Sequence, residues 1–137
     1  MAGELTITAA DVHLVRASDN ELMTGPMGEA GTAGQYFRQN TTTGVFNHGN
    51  ASSSTELGGV YGLLIDTAGV SMTGTIALPG AIVDLGDALS GAAFDAPIYV
   101  SDTDSAIATS AGTTSRVVGR VIPAFGNTTA DKLLLIV

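Results

Sequence analysis

The sequence predicts an all-β domain, a small β-sandwich or β-barrel (β-tulip-like) with little helix. Two observations predict it: short apolar or alternating runs recur along the whole chain, and Gly, Asn, Asp, Ser and Thr separate them. Many short strands at spacings of roughly 8–12 residues are typical of sandwiches and barrels. A length of 137 residues corresponds to one domain.

The predicted strands follow these runs in chain order. They include "ELTI", "VHLV", "QYFR", "GVF", "GVYGLLID", "AIVDL", "PIYVS", "SAIAT", "RVVGRVIPAF" and "KLLLIV". One short helix is predicted in "DLGDALSG", because Asp84 or Asp87 can cap a turn that Gly91 ends. Pro123 cannot donate a ladder hydrogen bond, so its strand is expected to lie at a sheet edge or to end there. The final "LLLIV" is apolar on both faces and needs cover on both.

The chain divides into two parts at residue 12. Residues 1–12 are predicted to be an N-terminal arm or a first strand, and residues 13–137 a single all-β domain. In "AGELTITAAD" only one short run alternates, with Leu5 and Ile7 apolar and Thr6 and Thr8 polar. Such a segment is too short to be stable alone, since termini stay mobile unless they are tied down.

The two halves of the chain are similar enough to predict an internal duplication. Tyr36 aligns with Tyr99, a Ser/Thr-rich turn follows each, and Gly62 aligns with Gly119 within two apolar runs. The loop "NHGNASSST" absorbs the difference in length between the halves. The repeat predicts two hairpin-plus-strand units packed about a pseudo-twofold axis. Chance alignment of low-complexity residues stays open as the alternative.

Composition and charge exclude several functions. The net charge is −8, Lys132 is the only lysine, and no basic run exists to bind the phosphates of nucleic acid. The chain has no cysteine, so disulfides and thiolate metal sites are excluded. The sequence predicts a soluble protein, with neither a signal peptide nor an apolar run that could cross a membrane. Aromatic residues make up only 5% of the chain, so its core contains few large side chains. Such a domain gains stability when it buries more of its surface against further copies of itself or a partner.

The stretch "YVSDTDSAIATS" is the strongest candidate for metal chemistry. Asp102 and Asp104 alternate as in a calcium loop, which also needs glycine at its sixth position and glutamate at its twelfth. Ile107 and Thr113 occupy those positions. Because Asp and Ser favour turns, we predict an exposed hairpin tip that binds no metal.

No arrangement of residues predicts an enzyme or a cofactor site. The only histidines are His13, on a predicted strand, and His48, in a loop, and no serine lies in a nucleophile elbow. The glycine-rich "GPMGEAGTAG" lacks the Lys-Ser/Thr of a phosphate loop. A carboxylate pair is formally possible, although loop acids of an acidic protein are usually solvated; the candidates are Asp84, Asp87, Asp95 and Asp102.

Alternation in "RVVGRVIPAF" places Arg116, Val118, Arg120 and Ile122 on one face of a strand. The two arginines could meet an acidic partner or pair with this chain's own carboxylates. Pairing within the chain is the favoured interpretation, because exposed ion pairs are common and weak.

The second half resembles the head decoration (capsid cement) proteins of tailed bacteriophages. The similarity covers Leu85–Val137 well, and the first half only in general character. Five features carry it in order: a Pro-containing strand, an Asp turn, an Ala/Thr-rich return, a "V-G-R-V" motif and an apolar terminal strand. They are residues 96–100, 102–104, 106–112, 118–121 and 133–137. Asp95-Ala96 replaces the glycine that this family has before the proline.

The resemblance implies a viral structural protein without catalytic residues or cofactors. Such proteins bind the outer surface of the phage head, contact the major capsid protein, commonly form homotrimers and stabilise the expanded shell. The expected location is therefore the virion, after synthesis in the host cytoplasm. The alternative is a carbohydrate-binding or adhesin β-module of a phage fibre, although sugar sites usually stack aromatic rings and the chain has no Trp.

The candidate capsid-interface residues lie in the N-terminal segment: Glu4, Leu5, Thr6, Ile7 and Thr8. An alternating run of this kind can add a strand to an exposed sheet edge, where backbone hydrogen bonds supply affinity. Three such arms on a trimer would bind together. The alternative is that the segment is the first strand of the domain's own sheet.

Overall fold

The computed structural model describes residues 3–124 and 128–137. Within them the chain forms eleven strands in two antiparallel sheets, which confirms the predicted all-β sandwich with little helix. The strands are β1 (Val12–Arg16), β2 (Leu22–Pro26), β3 (Tyr36–Gln39), β4 (Phe46–His48), β5 (Tyr61–Leu64), β6 (Thr73–Ala77), β7 (Ile82–Leu85), β8 (Pro97–Val100), β9 (Ile107–Ala108), β10 (Val117–Ala124) and β11 (Thr128–Ile136).

Helical structure in the described residues is confined to single turns. The predicted turn in "DLGDALSG" is a 3₁₀ turn at Gly86–Leu89, and two more occur at Ala9–Asp11 and Asp19–Glu21. An unpredicted helix, α1 (Ser54–Leu57), lies in the loop of the first half. Ser53 caps it, accepting a hydrogen bond from the Glu56 N–H, as serine commonly does at a helix N-terminus.

The order of the strands confirms the internal duplication. The five-stranded sheet has the order β2-β6-β5-β3-β4, and the six-stranded sheet has the order β1-β7-β11-β10-β8-β9. Without β1, the second order repeats the first strand for strand. We call β2–β6 the first unit and β7–β11 the second unit.

Strand pairing fixes which residues correspond. Phe37 lies opposite Gly62 in the first unit, and Ile98 lies opposite Gly119 in the second. The predicted alignment of the glycines is therefore right. The alignment of Tyr36 with Tyr99 is wrong by two residues, because Tyr36 corresponds to the proline that precedes Ile98.

The predicted pseudo-twofold packing is also wrong, because the units stack face to back. In each unit the residue two positions after the glycine donates its N–H to the first strand, from Leu64 to Gln35 O and from Val121 to Ala96 O. Because the equivalent residues make the same hydrogen bonds in both units, Phe37 and Ile98 lie on the same face of their units. The Ile98 side chain packs towards the first unit, whereas Phe37 packs away from the second.

The face-to-back stack creates two separate cores. The larger core lies between the sheets and combines the back of the first unit, including Tyr36 and Leu63, with the front of the second, including Ile98 and Leu134. The smaller core lies on the front of the first unit. Its buried residues are Met27, Phe37, Phe46, Leu64, Ala68 and Ile76.

The chain itself covers this front of the first unit. The β2–β3 and β5–β6 connections lie over it and pair with each other, with two hydrogen bonds between Gly31 and Ala68. Directly after β2, Met27 forms a parallel bridge with Phe46 of β4, and the Gly28 N–H donates to Phe46 O at 2.8 Å. This seam joins the two edges of the five-stranded sheet.

A β-bulge at Val117–Gly119 changes the predicted faces of β10. A bulge places an extra residue in one strand and interrupts its alternation. Val118 is consequently buried in the larger core, while Arg120 keeps its outward position. Pro123 pairs with Lys132 of β11 beyond the last β8 pair, so among the described residues it has one strand neighbour, as its missing donor requires.

Candidate functional site

The Asp102–Asp104 stretch forms the predicted hairpin tip between β8 and β9. Asp102 accepts hydrogen bonds from the Thr113 N–H at 2.8 Å and the Thr113 hydroxyl at 2.7 Å. These bonds lower the pKa of the Asp102 carboxyl. Asp104 is exposed and accepts a hydrogen bond from Asn50 Nδ2. Both carboxylates therefore join the tip to other loops.

The N-terminal candidate segment lies against the chain's own six-stranded sheet. The Leu5 N–H donates to Ile107 O at 2.9 Å, and Glu4 bridges to Ala108 of the edge strand β9. Leu5 and Ile7 pack against the larger core, whereas Thr6 and Thr8 are exposed. These contacts are an isolated β-bridge and one backbone hydrogen bond along β9; residues 5–8 form no strand, so the strand predicted in "ELTI" is not present.

Glu4 holds this segment to the hairpin tip. The Ser101 hydroxyl donates to Glu4 Oε2 at 2.7 Å. Hydrogen bonds from Thr103 and Ser101 lower the pKa of the Glu4 carboxyl. The N-terminal segment and the tip are therefore connected through a carboxylate that accepts bonds from both hydroxyls.

The described residues contain no group of three or more His, Cys, Asp or Glu side chains that could hold a metal ion. His48 lies with Nδ1 3.1 Å from Glu29 Oε2 and Nε2 2.8 Å from Ala30 O. His48 thus connects β4 to the loop between β2 and β3. His13 is exposed on the edge strand opposite Asp84. Neither histidine is paired with a serine.

The Arg116 guanidinium connects the two units. Its Nη1 donates to Leu57 O at 3.2 Å and Gly58 O at 2.5 Å, and it lies 3.4 Å from the Tyr36 hydroxyl. The guanidinium also stacks over the Tyr61 ring, 4.5 Å from its centroid. Pairing within the chain is confirmed for Arg116, but its partners are carbonyls and rings rather than the expected carboxylates.

Arg120 has a looser environment. Its Nη1 donates to Asp95 O at 2.8 Å and lies 3.8 Å from the Asp95 carboxylate, which is itself 90% exposed. An ion pair of this kind contributes little to stability. Arg120 therefore remains a feature of the surface.

The back of the second unit carries half-buried apolar side chains beside charged ones. A row across its strands runs Arg16, Ile82, Leu135, Arg120 and Pro97, each opposite the next. Ile82, Leu135 and Pro97 are half-buried. The equivalent back of the first unit is covered by the second sheet.

The same face continues at the next position along the strands. Ile122 lies opposite Leu133, and Asp84 lies opposite His13. A hollow of about 240 Å³ opens beside Leu133, lined also by Asp87 and Lys132. The sequence signal for this surface was the two-sided apolar character of "LLLIV", which indicated that something besides the core covers it.

Comparison with protein families, curated proteins and solved structures finds no match for this chain. No helix among the described residues is long and apolar enough to cross a membrane. Functional inference therefore depends on the residues and their contacts.

Proposed function

We propose that this chain is a capsid decoration protein that binds the outer surface of a tailed-phage head and stabilises the expanded shell. One observation carries the proposal: the residues that resemble this family, Leu85–Val137, span nearly the whole second unit. The sequence resemblance thus coincides with a complete structural repeat.

The polar groups of the chain fit a structural role. Asp102, Glu4 and Arg116, which carry the notable polar contacts, all connect one segment of the chain to another. In this proposal the protein is not an enzyme and uses no cofactor. Its partners are the major capsid protein and further copies of itself, as a homotrimer on the virion, after synthesis in the host cytoplasm.

Co-sedimentation with phage heads tests the proposal. If a major capsid protein is encoded beside this chain, expanded heads and unexpanded proheads are assembled from it. We expect saturable binding to expanded heads and a higher temperature of head disruption. A chain that stays in the supernatant with both kinds of head would falsify the decoration function.

Two exposed threonines test the proposed capsid contact of the N-terminal segment. Thr6→Arg and Thr8→Arg place a bulky charge on the exposed side while Leu5 and Ile7 keep their packing. If the segment contacts the shell, both variants melt normally and bind heads more weakly. Thr41→Arg, at an exposed turn of the first unit, is the matched control. Full binding by both variants places the capsid contact elsewhere.

The carbohydrate-binding alternative has less support from the positions of the rings. Tyr36, Phe37 and Phe46 are fully buried, and Phe94 is the one aromatic side chain among the described residues that is exposed. Sugar recognition commonly uses ring faces at the surface. A glycan array with Phe94→Ala as the comparison separates the two functions.

A further inference from the structure

We infer that the back of the second unit binds a second copy of this chain, sheet against sheet. This self-association is independent of the proposed decoration function. Its centre is the half-buried aliphatic group Ile82, Ile122 and Leu135, which lies on adjacent strands β7, β10 and β11 beside the buried Leu133. Burial of half-exposed aliphatic side chains removes apolar surface from water, the main driving force of protein association.

The internal duplication indicates that a β-sheet is the kind of structure that binds the back of the second unit. The equivalent face of the first unit, around Tyr36 and Leu63, is already buried by a β-sheet of this chain. The same strand order has thus produced a back surface that accepts a twisted sheet. Two such sheets pack face to face about 10 Å apart, with their side chains interdigitated.

Charge favours a second copy at this face above other faces of the molecule. A net charge of −8 makes two copies repel each other generally. The back of the second unit carries Arg16 and Arg120, two of the five basic residues, beside Asp84 and Asp95. Positive and negative groups on one face can pair with their counterparts on an identical face.

A twofold axis across the strands gives a consistent register. The row that contains Arg16, Ile82 and Leu135 then lies over the row that contains Asp84 and Leu133 of the second copy. Leu135 of one copy then lies over the buried Leu133 of the other, beside the hollow of about 240 Å³. Arg16 comes within a strand spacing of the second copy's Asp84. A twofold contact uses the same patch on both copies, so it is separate from any threefold contact on a capsid.

Sedimentation velocity without capsids tests the inference. We expect the mass to approach twice the chain's 13.7 kDa as the concentration rises. Leu135→Glu should weaken dimerisation by roughly tenfold or more, because it places a charge at the centre of the contact. Met72→Glu is the matched control, since Met72 is 61% exposed on a loop of the first unit and lies outside the contact.

Cross-linking supplies a second measurement if Leu135→Glu fails to fold. The chain has no cysteine, so Leu135→Cys introduces a single thiol with little change in packing. A bis-maleimide that spans about 10 Å, the distance between packed sheets, should cross-link Leu135→Cys to itself but not Met72→Cys.

Three outcomes would overturn the inference. One is a monomer at every concentration, without cross-linking. Another is a dimer or trimer that Leu135→Glu does not weaken. The third is a monomeric chain whose Leu135→Glu variant loses head binding, which would assign this face to the capsid. Because no heads enter the sedimentation and cross-linking measurements, failure of the decoration function leaves their result unchanged.

Discussion

The two units share one strand order but bury their side chains differently. The front of the first unit is filled by its own Phe37 and Phe46 and covered by its own connections. The front of the second unit has only aliphatic buried residues among those described, and Tyr36 of the first unit completes it. Among the described residues, no further sheet lies over the back of the second unit, where Ile82 and Leu135 are half-buried. A repeated topology therefore does not imply a repeated core.

The difference lies in the connections as much as in the strands. Residues 65–72 between β5 and β6 are long enough to lie over the front of the first unit, whereas only residues 125–127 separate β10 from β11. The second unit therefore depends on the first for its core. We expect the chain to unfold as one cooperative unit, in spite of its two repeats.

Phe46→Ala tests this dependence with the largest expected effect. Phe46 is fully buried, and its removal should cost about 3–5 kcal/mol of unfolding free energy, as for other buried phenylalanines. Urea unfolding followed by far-UV circular dichroism and by tyrosine fluorescence should still show a single transition. Phe94→Ala, at a 41% exposed position, should cost about 1 kcal/mol or less. Two separated transitions would mean that the units fold independently.

Tyr36→Phe tests the connection between the units. The Tyr36 hydroxyl donates to Leu57 O at 2.6 Å, and its loss should cost about 1–3 kcal/mol. Burial raises the pKa of Tyr36 to about 12, above the ordinary value of about 10. The neutral phenol therefore contributes stability that is fully present below pH 10 and is lost as the pH rises through 12. Between those values the native chain should lose about 2–3 kcal/mol more than Tyr36→Phe. Parallel pH profiles of the two proteins would contradict this.

Deletion of residues 2–8 tests whether the six-stranded sheet needs the N-terminal segment that lies along β9. Leu5 and Ile7 are half-buried, and removal of both should cost about 2 kcal/mol. Thermal melting with head binding measures both roles of the segment. A truncated chain that melts normally but no longer binds expanded heads would instead support the arm hypothesis.

Asp102→Ala is expected to have the smallest effect. Hydrogen bonds from Thr113 lower the pKa of Asp102, so its carboxylate contributes stability above the ordinary range near pH 4. That contribution is lost as the pH falls through the lowered pKa. The melting temperatures of the native chain and the variant should differ at pH 7 and converge in acid. Calcium should leave the native melting temperature unchanged; a rise of several degrees that Asp102→Ala abolishes would identify a metal site.

Sequence reasoning missed two strands that contain glycine, and it predicted a strand in "ELTI" where only an isolated bridge forms. β2 and β6 pair with Gly25 opposite Gly74. A Cβ atom on Gly25 would lie 3.1 Å from the Phe46 ring, and one on Gly74 would overlap the Met27 side chain. These glycines make room for large residues that come from distant parts of the chain. Their strand character therefore depends on tertiary packing, which no local pattern reveals.

The candidate sites could be predicted where the interacting residues are close together in the sequence. The Asp102 turn follows from neighbouring residues, and its position at a hairpin tip is confirmed. The partners of Arg116 are carbonyls that lie far away in the sequence, so no motif indicates them. The two-residue error at Tyr36 has a similar origin, since residues two apart in a strand share a face and look alike in pattern.

The way in which the chain closes its sheet edges has a consequence for aggregation. Met27 and Gly28 occupy the outer edge of β4, and Gly3 to Leu5 occupy that of β9. An unpaired edge offers backbone donors and acceptors to any neighbouring chain and promotes amyloid-like growth. Both edges are closed by backbone from the same molecule. Strand pairing through β4 and β9 is thereby blocked, which leaves β1 and β2, the other outer strands of the two sheets, as the edges where crowded copies could pair.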